Sequence, residues 1–465
     1  MSLKSSKKWA LVSLKDAKAI IAESLLTALG VASIATLSIA LPSYAQDTSH
    51  PLALRDAVSM AVSNNPLLRE TAEKINQMEA TIPLDRSSLF PNLSIINKAG
   101  EQKNAVNVPT ALFGGDPYNN YSSDIHLTQS LYTYGSVRAI RSAEKDRDIA
   151  KINTQISARD LTSQVVQAYY QVVLNMRTVD TYRQQLAITV EALGTAERRA
   201  RTGRGQVLDV LQTRTQLALL KSQITTSENT VQTAAASLAS LIGDTRPNVF
   251  LIKDSLEAPN PDIIDHEVDL KNFKLPELER NNVSLLQIDD QKAVALGQNL
   301  PTLSFTGDYM FNAYKQSDVL DADAVSWALG VQLTIPLFSG FSTSYQQQVL
   351  DSEKMQLEFD RLNIQNQTSL QQVTSRKNLE TAQASIIEGQ EALRLAIASS
   401  DEARRMYRFS TIDFLQLLTV EQSLVTAESS FYQYKYNYIV ALASYFVASG
   451  QDSNHLIELL ERANR

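Results

Sequence analysis

A set of short patterns occurs twice along this chain, in the same order and at nearly constant spacing, and that duplication constrains the fold more than any single motif. Ser123–Ser136, SDIHLTQSLYTYGS, aligns with the stretch Val325–Ser342, VSWALGVQLTIPLFSGFS, so that Leu127-Thr128 meets Leu333-Thr334 206 positions later, and Leu131 and Tyr132 meet Leu337 and Phe338. Val207-Leu208 and Leu217 find Phe414-Leu415 and Leu424 at an offset of 207. Upstream, PNLSI at Pro91 answers PTLSF at Pro301, and Asn64-Asn65 answers Asn281-Asn282. Each half then reads as a short helix, a strand, a loop, a second strand, a very long helix, a turn and another long helix.

The strands are two-faced. Val325, Trp327, Leu329, Val331, Leu333, Ile335 and Leu337 take every second position, with Ser326, Ala328, Gly330, Gln332 and Thr334 between them, the period of a strand with one apolar face. Leu303, Phe305, Tyr309 and Phe311 oppose Thr302, Ser304, Thr306 and Asp308 in the same way, and Leu93 with Ile95 and Ile125 with Leu127 and Leu131 give the first half its pair. Polar, turn-rich connections at Asn104–Asn120 and Lys315–Asp323 join them into two hairpins.

The helices are the larger part. A chain with only 15 Gly and 13 Pro leaves room for long uninterrupted helices. Gly135 to Arg201 contains no Pro and only Gly194, so at ~1.5 Å per residue it can run on the order of 100 Å. Val165, Ala168, Val172, Val179, Tyr182, Leu186 and Leu193 trace a seam at spacings of three and four, interrupted by Asn175. Leu217, Leu220, Ile224, Ser227, Val231, Ala234, Leu238 and Leu241 trace another, the heptad pattern of supercoiling helices. Gly203 and Gly205 punctuate the first helical turn and Phe409–Asp413 the second.

The first 45 residues have a basic leader (Lys4, Lys7, Lys8, Lys15, Lys18), an apolar run from Ser24 to Leu41, and Ser43-Tyr44-Ala45 before Gln46. That is the pattern of a cleaved secretory signal, although the run is also near the minimum for a retained membrane anchor. The leader sets five Lys against Asp16 and Glu23, so its removal takes the formal net charge from −7 to −10. An acidic chain argues against a nucleic-acid partner. With no cysteine, a disulfide framework and an acylated N-terminal cysteine are excluded. The four histidines, His50, His126, His266 and His455, are scattered, and no phosphate loop or metal-ligand spacing stands out, so no enzyme, cofactor or metal site is expected.

The expected organisation is a signal peptide at 1–45, a first repeat at 46–244 with a β-hairpin over about 92–134 and a helical hairpin over about 135–242, and an equatorial linker at 245–275. A second repeat follows at 276–450, with a β-hairpin over about 301–338 and a helical hairpin over about 340–449, then a tail at 451–465 that either joins the linker or frays. Long heptad-bearing helices alone fit a structural periplasmic or surface coiled coil. Four isolated amphipathic strands of ~10 residues fit that poorly, but their length suits tilted strands in a membrane. In lipid every backbone group must be paired, so a four-stranded sheet has to close with copies of itself.

NNP at Asn64–Pro66, the P-x-L-S openings at Pro91 and Pro301, PLFSG at Pro336–Gly340 and QVLDVLQTRTQL at Gln206–Leu217, in this order and duplicated, resemble the TolC family of outer-membrane export ducts from about Leu52 to Gly450. The resemblance implies a mainly α fold with a β-barrel portion: a homotrimer whose subunits give four strands each to one twelve-stranded transmembrane barrel in the bacterial outer membrane, continued by a periplasmic α-helical barrel. It implies passive conduction in drug or metal efflux or type I secretion, with energy from an inner-membrane pump joined through a periplasmic adaptor. Gly135, Pro336 and Gly340 would mark the junction of barrel and tunnel.

The family closes its helical tip with bonds from an Asp of the first turn to a Tyr and an Arg of the second. By position these fall on Asp209, Tyr407 and Ile412, so an Asp209–Tyr407 hydrogen bond is the expected gate. The positions that carry acidic rings fall on Gln416 and Thr419, leaving Asp413 to supply a ring of its own. Arg201, Gly203, Arg204, Arg404, Arg405 and Arg408 crowd the two turns as adaptor contacts or inter-hairpin ties. The plainer alternatives are that Asp209 serves a helix start, Tyr407 packs in the seam and the arginines form a solvated tip.

Overall fold

The computed structural model describes residues 51–102, 117–203, 205–244, 252, 254–257, 259, 275–313, 325–409, 411–451 and 453–463. The leader, Arg204, Ser410, most of the linker and the greater part of both strand connections lie outside them. In chain order the elements are α1 (Leu54–Asn64), α2 (Pro66–Ser87), β1 (Asn92–Gln102), β2 (Tyr118–Tyr132), α3 (Tyr134–Arg201), α4 (Val207–Leu241), α5 (Pro276–Gly297), β3 (Thr302–Ala313), β4 (Val325–Thr334), α6 (Ser342–Arg408), α7 (Phe414–Ala448) and α8 (Ser453–Ala463). None of these helices is long and apolar enough to cross a membrane.

The strands form one antiparallel sheet in the order β1-β2-β3-β4, so the two hairpins pair with each other through β2 and β3. The register stacks Leu93, Leu127, Gly307 and Leu329 on one face, beside a row of Ile95, Ile125, Tyr309 and Trp327. Apolar side chains remain open on that face: Trp327 is 70% and Leu329 66% exposed. Among the described residues only the inner flanks of β1 and β4 are paired. The alternation of β4 continues through Ile335 and Leu337, but the ladder ends at the Thr302–Thr334 pair; Pro301 before it and Pro336 after it carry no N–H.

The route from strand to helix differs between the halves. Thr133 alone separates β2 from α3, whereas β4 and α6 are joined by an extended run ending in Gly340 (φ +65°) and Phe341 (φ +63°). Two consecutive left-handed residues turn the chain sharply, and for Phe341 that conformation costs about 1–2 kcal/mol.

α3 has 68 residues and α4 only 35, so the long helix needs other partners along its length. α2 and α5 pack beside it as well as α4 and α7, and α6 likewise packs against α7 and α5. The main core surrounds the middle of α3: Val165, Val166, Tyr169, Tyr170 and Val172 meet Leu238, Ile439, Leu442 and Phe446. The tail joins this core as α8, burying Leu456, Ile457, Leu459 and Leu460. Asp254 ties the start of α1 to the same place: its Oδ2 accepts from Leu54 N at 3.1 Å and from the Tyr169 hydroxyl at 2.8 Å.

Two sequence expectations shift. Beyond Val179 the buried positions of α3 are Thr181, Gln185, Thr189, Ala192 and Ala196, while Tyr182, Leu186 and Leu193 are half-buried. A helix of 3.6 residues per turn drifts against a strict heptad, by roughly 20° each repeat. The Asn64-Asn65 and Asn281-Asn282 pairs also take different places in the fold. Asn65 caps α2, accepting from Leu67 N at 2.9 Å, and donates to Leu241 O of α4 at 2.8 Å. Asn281 lies buried inside α5, which already begins at Pro276, and donates to Leu357 O of α6 at 3.1 Å.

Candidate functional site

The tips of the two helical hairpins meet around Tyr407. Gly203 ends α3 at φ +70°. A Cβ on Gly205 would approach Arg199 Cβ to 2.7 Å, so glycine leaves room for Arg199. The Arg199 guanidinium lies 4.5 Å from the Tyr407 ring centroid. Its Nη2 donates to the carbonyls of Tyr407 and, at 3.2 Å, of Arg408. These are last-turn carbonyls of α6, where a cation is favourable. Arg199 was not legible in the sequence, because Arg198 and Arg201 share its neighbourhood and only helix phase separates them.

Tyr407 is 3% exposed and packs with Ala192, Ala403, Phe414 and Leu417. Burial pushes its phenol pKa up, against the opposing pull of Arg199 and with help from Asp209. Among the described residues its hydroxyl has no hydrogen-bond partner. The expected Asp209–Tyr407 bond is therefore not made within the subunit: the hydroxyl is enclosed in the apolar cluster, and Asp209 stands half-buried in the first turn of α4.

Asp413 caps α7. Its Oδ1 accepts from Gln416 N at 2.8 Å, and the Gln416 side chain returns to Asp413 N at 3.4 Å, a capping box. Thr419 Oγ1 donates back to Leu415 O at 2.9 Å. Asp413, Gln416 and Thr419 share one exposed stripe, but the carboxylate expected to form a ring is also the helix cap.

Of the arginines expected at the tip, Arg404 turns inward. Its Nε and Nη2 grip Glu421 at 2.7 and 3.0 Å, and Ser400 Oγ donates to the same carboxylate at 2.8 Å. The hydrogen bonds donated to Glu421 raise the Arg404 pKa against burial. Arg405 pairs with Glu402 one turn away. Arg201 and Arg408 are exposed, and Arg204 falls outside the described residues.

At the sheet end, Gly135 and Pro336 line one cavity of about 630 Å³ with Leu84, Val294, Gly297, Thr302 and Thr334; Gly340 is not part of it. A Cβ on Gly297 would come within 2.8 Å of Gly135 N, so α5 and the start of α3 cross there backbone to backbone.

The polar face of the sheet holds a cluster that the scattered histidines did not suggest. Register places His126 opposite Asp308, with Asp124 two residues along β2 on the same face. His126 Nδ1 lies 2.5 Å from Asp308 Oδ1, and its Nε2 lies 2.7 Å from Thr128 Oγ1. One ligand atom each from Asp124, His126 and Asp308 fall within 4.8 Å of one another. The sequence signal was the D-x-H pair at 124–126; Asp308, 182 residues from His126, carried none.

A subunit with an open-edged amphipathic sheet set on paired long helices defines the class of outer-membrane channel proteins with a helical extension. The model of the outer membrane efflux protein family matches residues 57–244. Protein CyaE of Bordetella pertussis is 24% identical over 64% of this chain and 63% of its own length. Outer membrane protein TolC of Escherichia coli is 23% identical over 83% of this chain and 80% of its own. The Campylobacter jejuni CmeC outer membrane channel superposes with a TM-score of 0.70 at 17% identity, covering 89% of this chain and 90% of that one. The chain is similar in sequence to outer membrane efflux and secretion proteins and shares the fold of outer membrane channels.

Proposed function

We propose that this protein is an outer-membrane export duct, a homotrimer that passively carries substrates from an inner-membrane pump and its periplasmic adaptor to the exterior. The observation that carries the reading is the sheet. One face presents exposed Trp327, Leu329, Val331 and Leu333, the other is polar, and β1 and β4 each have one flank unpaired within the subunit. Such a sheet suits lipid on its apolar side only when both edges are paired, and neighbouring copies supply that pairing. Exposed apolar residues on α6, Phe359, Leu362, Leu370 and Val373, extend the same need along the helix. Three copies give a twelve-stranded barrel, continued by an α-barrel across the periplasm.

In this reading the hairpin tips form the gate and the adaptor contacts, and the sheet–helix crossing at Gly135, Pro336 and Gly340 is where barrel becomes tunnel. Arg199 supplies the tie between hairpins, with Asp209 beside it in the tip.

The test is assembly and conduction together. Purified in mild detergent, the mature chain is expected to sediment as a trimer and to open ion-conducting channels in planar bilayers. A monomer soluble without detergent that leaves bilayers silent overturns the reading.

A further inference from the structure

We propose that Asp124, His126 and Asp308 form a binding site for a divalent transition-metal ion of the Zn²⁺ type on the polar face of the sheet. The donor set is one imidazole nitrogen and two carboxylates with no thiolate, which suits ions of intermediate softness. Their placement is fixed by the ladder: residues 124 and 126 share a face of β2, and Asp308 is the cross-strand partner of His126. A Zn²⁺ ion sits ~2.0–2.2 Å from each ligand, so its ligands lie within about 4.4 Å of one another; here they lie within 4.8 Å.

Two further features point to an ion. Asp124 Oδ1 is closed to solvent and has no hydrogen-bond partner among the described residues, although it is a carboxylate oxygen beside a second carboxylate. Lys98 stands on the same face, across from Ser122, but forms no ion pair with Asp124. The other feature is Thr128: its hydroxyl, 2.7 Å from Nε2, holds the ring with Nδ1 toward the carboxylates, the outer-shell arrangement that orients metal-ligating histidines. On binding, the ion replaces the proton between His126 Nδ1 and Asp308, that proton leaves to solvent, and the two groups draw apart by roughly 1 Å. Three protein ligands leave the ion's remaining positions to water, so it exchanges freely.

The site rests on sheet register and not on the export reading. Its test is calorimetric titration of the untagged full-length protein in detergent, stripped with a chelator and then given Zn²⁺. Wild type is expected to take one ion per chain, with Mg²⁺ failing to compete. His126→Gln and Asp308→Asn should each weaken binding at least tenfold, and Thr128→Val several-fold. Asp124→Asn, whose Oδ1 has no partner to lose, carries the same expectation should either of the first two fail to assemble. No saturable binding, or equal affinity in wild type and the assembled variants, overturns the proposal.

Discussion

Arg404 holds Glu421 through two hydrogen bonds, joining α6 to α7 where the Glu421 side chain is 3% exposed and that of Arg404 31%. Removing one partner of a buried pair is far more damaging than replacing both. Arg404→Ala is expected to destabilise the subunit by about 3 kcal/mol, the low end for such losses because Arg404 is partly solvated. The Arg404→Leu, Glu421→Leu double variant should recover most of that in thermal unfolding. Equal losses in the two proteins would show that the pair itself stabilises the tip.

Arg199 is the tie between hairpins. Arg199→Ala removes both the ring contact and the donors to the α6 carbonyls, and single-channel conductance should rise. Tyr407→Phe removes a hydroxyl without a partner and should leave conductance near wild type. A rise in Tyr407→Phe with none in Arg199→Ala would move the gate back to the Asp209–Tyr407 pair.

Glu277, in the first turn of α5, accepts from Arg159 Nη2 of α3 at 2.7 Å. Burial raises its pKa, but the Arg159 hydrogen bond and charge outweigh that and hold it below the ordinary carboxylate range. A depressed folded pKa means stability fully present above the unfolded value of ~4.3 and lost as pH falls through the folded one. The gap in melting temperature between wild type and Glu277→Gln should be open at neutral pH and close in the acid range below that value. A gap that widens on acidification would contradict the sign.

Gly297→Ala should be destabilising by roughly 1–3 kcal/mol, since the new methyl meets backbone that cannot rotate away. Gly100→Ala is the control: nothing lies within 4 Å of its added Cβ. Denaturant unfolding of the two variants side by side checks this.

The strands and long helices were legible because period-two alternation and the lack of Gly and Pro are local signals. What escaped depended on small angles or distant pairings. The buried stripe of α3 left Leu186 and Leu193 for Gln185 and Ala192 because phase drift accumulates along a helix. Asp308 joined His126 only through β2–β3 pairing, which crosses from one repeat to the other. Asp413 was legible as an acid beside a turn; its capping role needed the return contact from Gln416. Within the subunit the Asp209–Tyr407 bond is not made, and sequence position says nothing of which way a phenol hydroxyl faces.

The unpaired flanks of β1 and β4 bear on inheritance as much as on architecture. Under threefold closure every copy is template and guest at once, so an allele placing proline in β4 would poison the rings it enters. In a cell expressing both alleles equally, roughly one ring in eight would escape a defective member. Such a lesion would be genetically dominant, whereas loss of the whole polypeptide would be recessive.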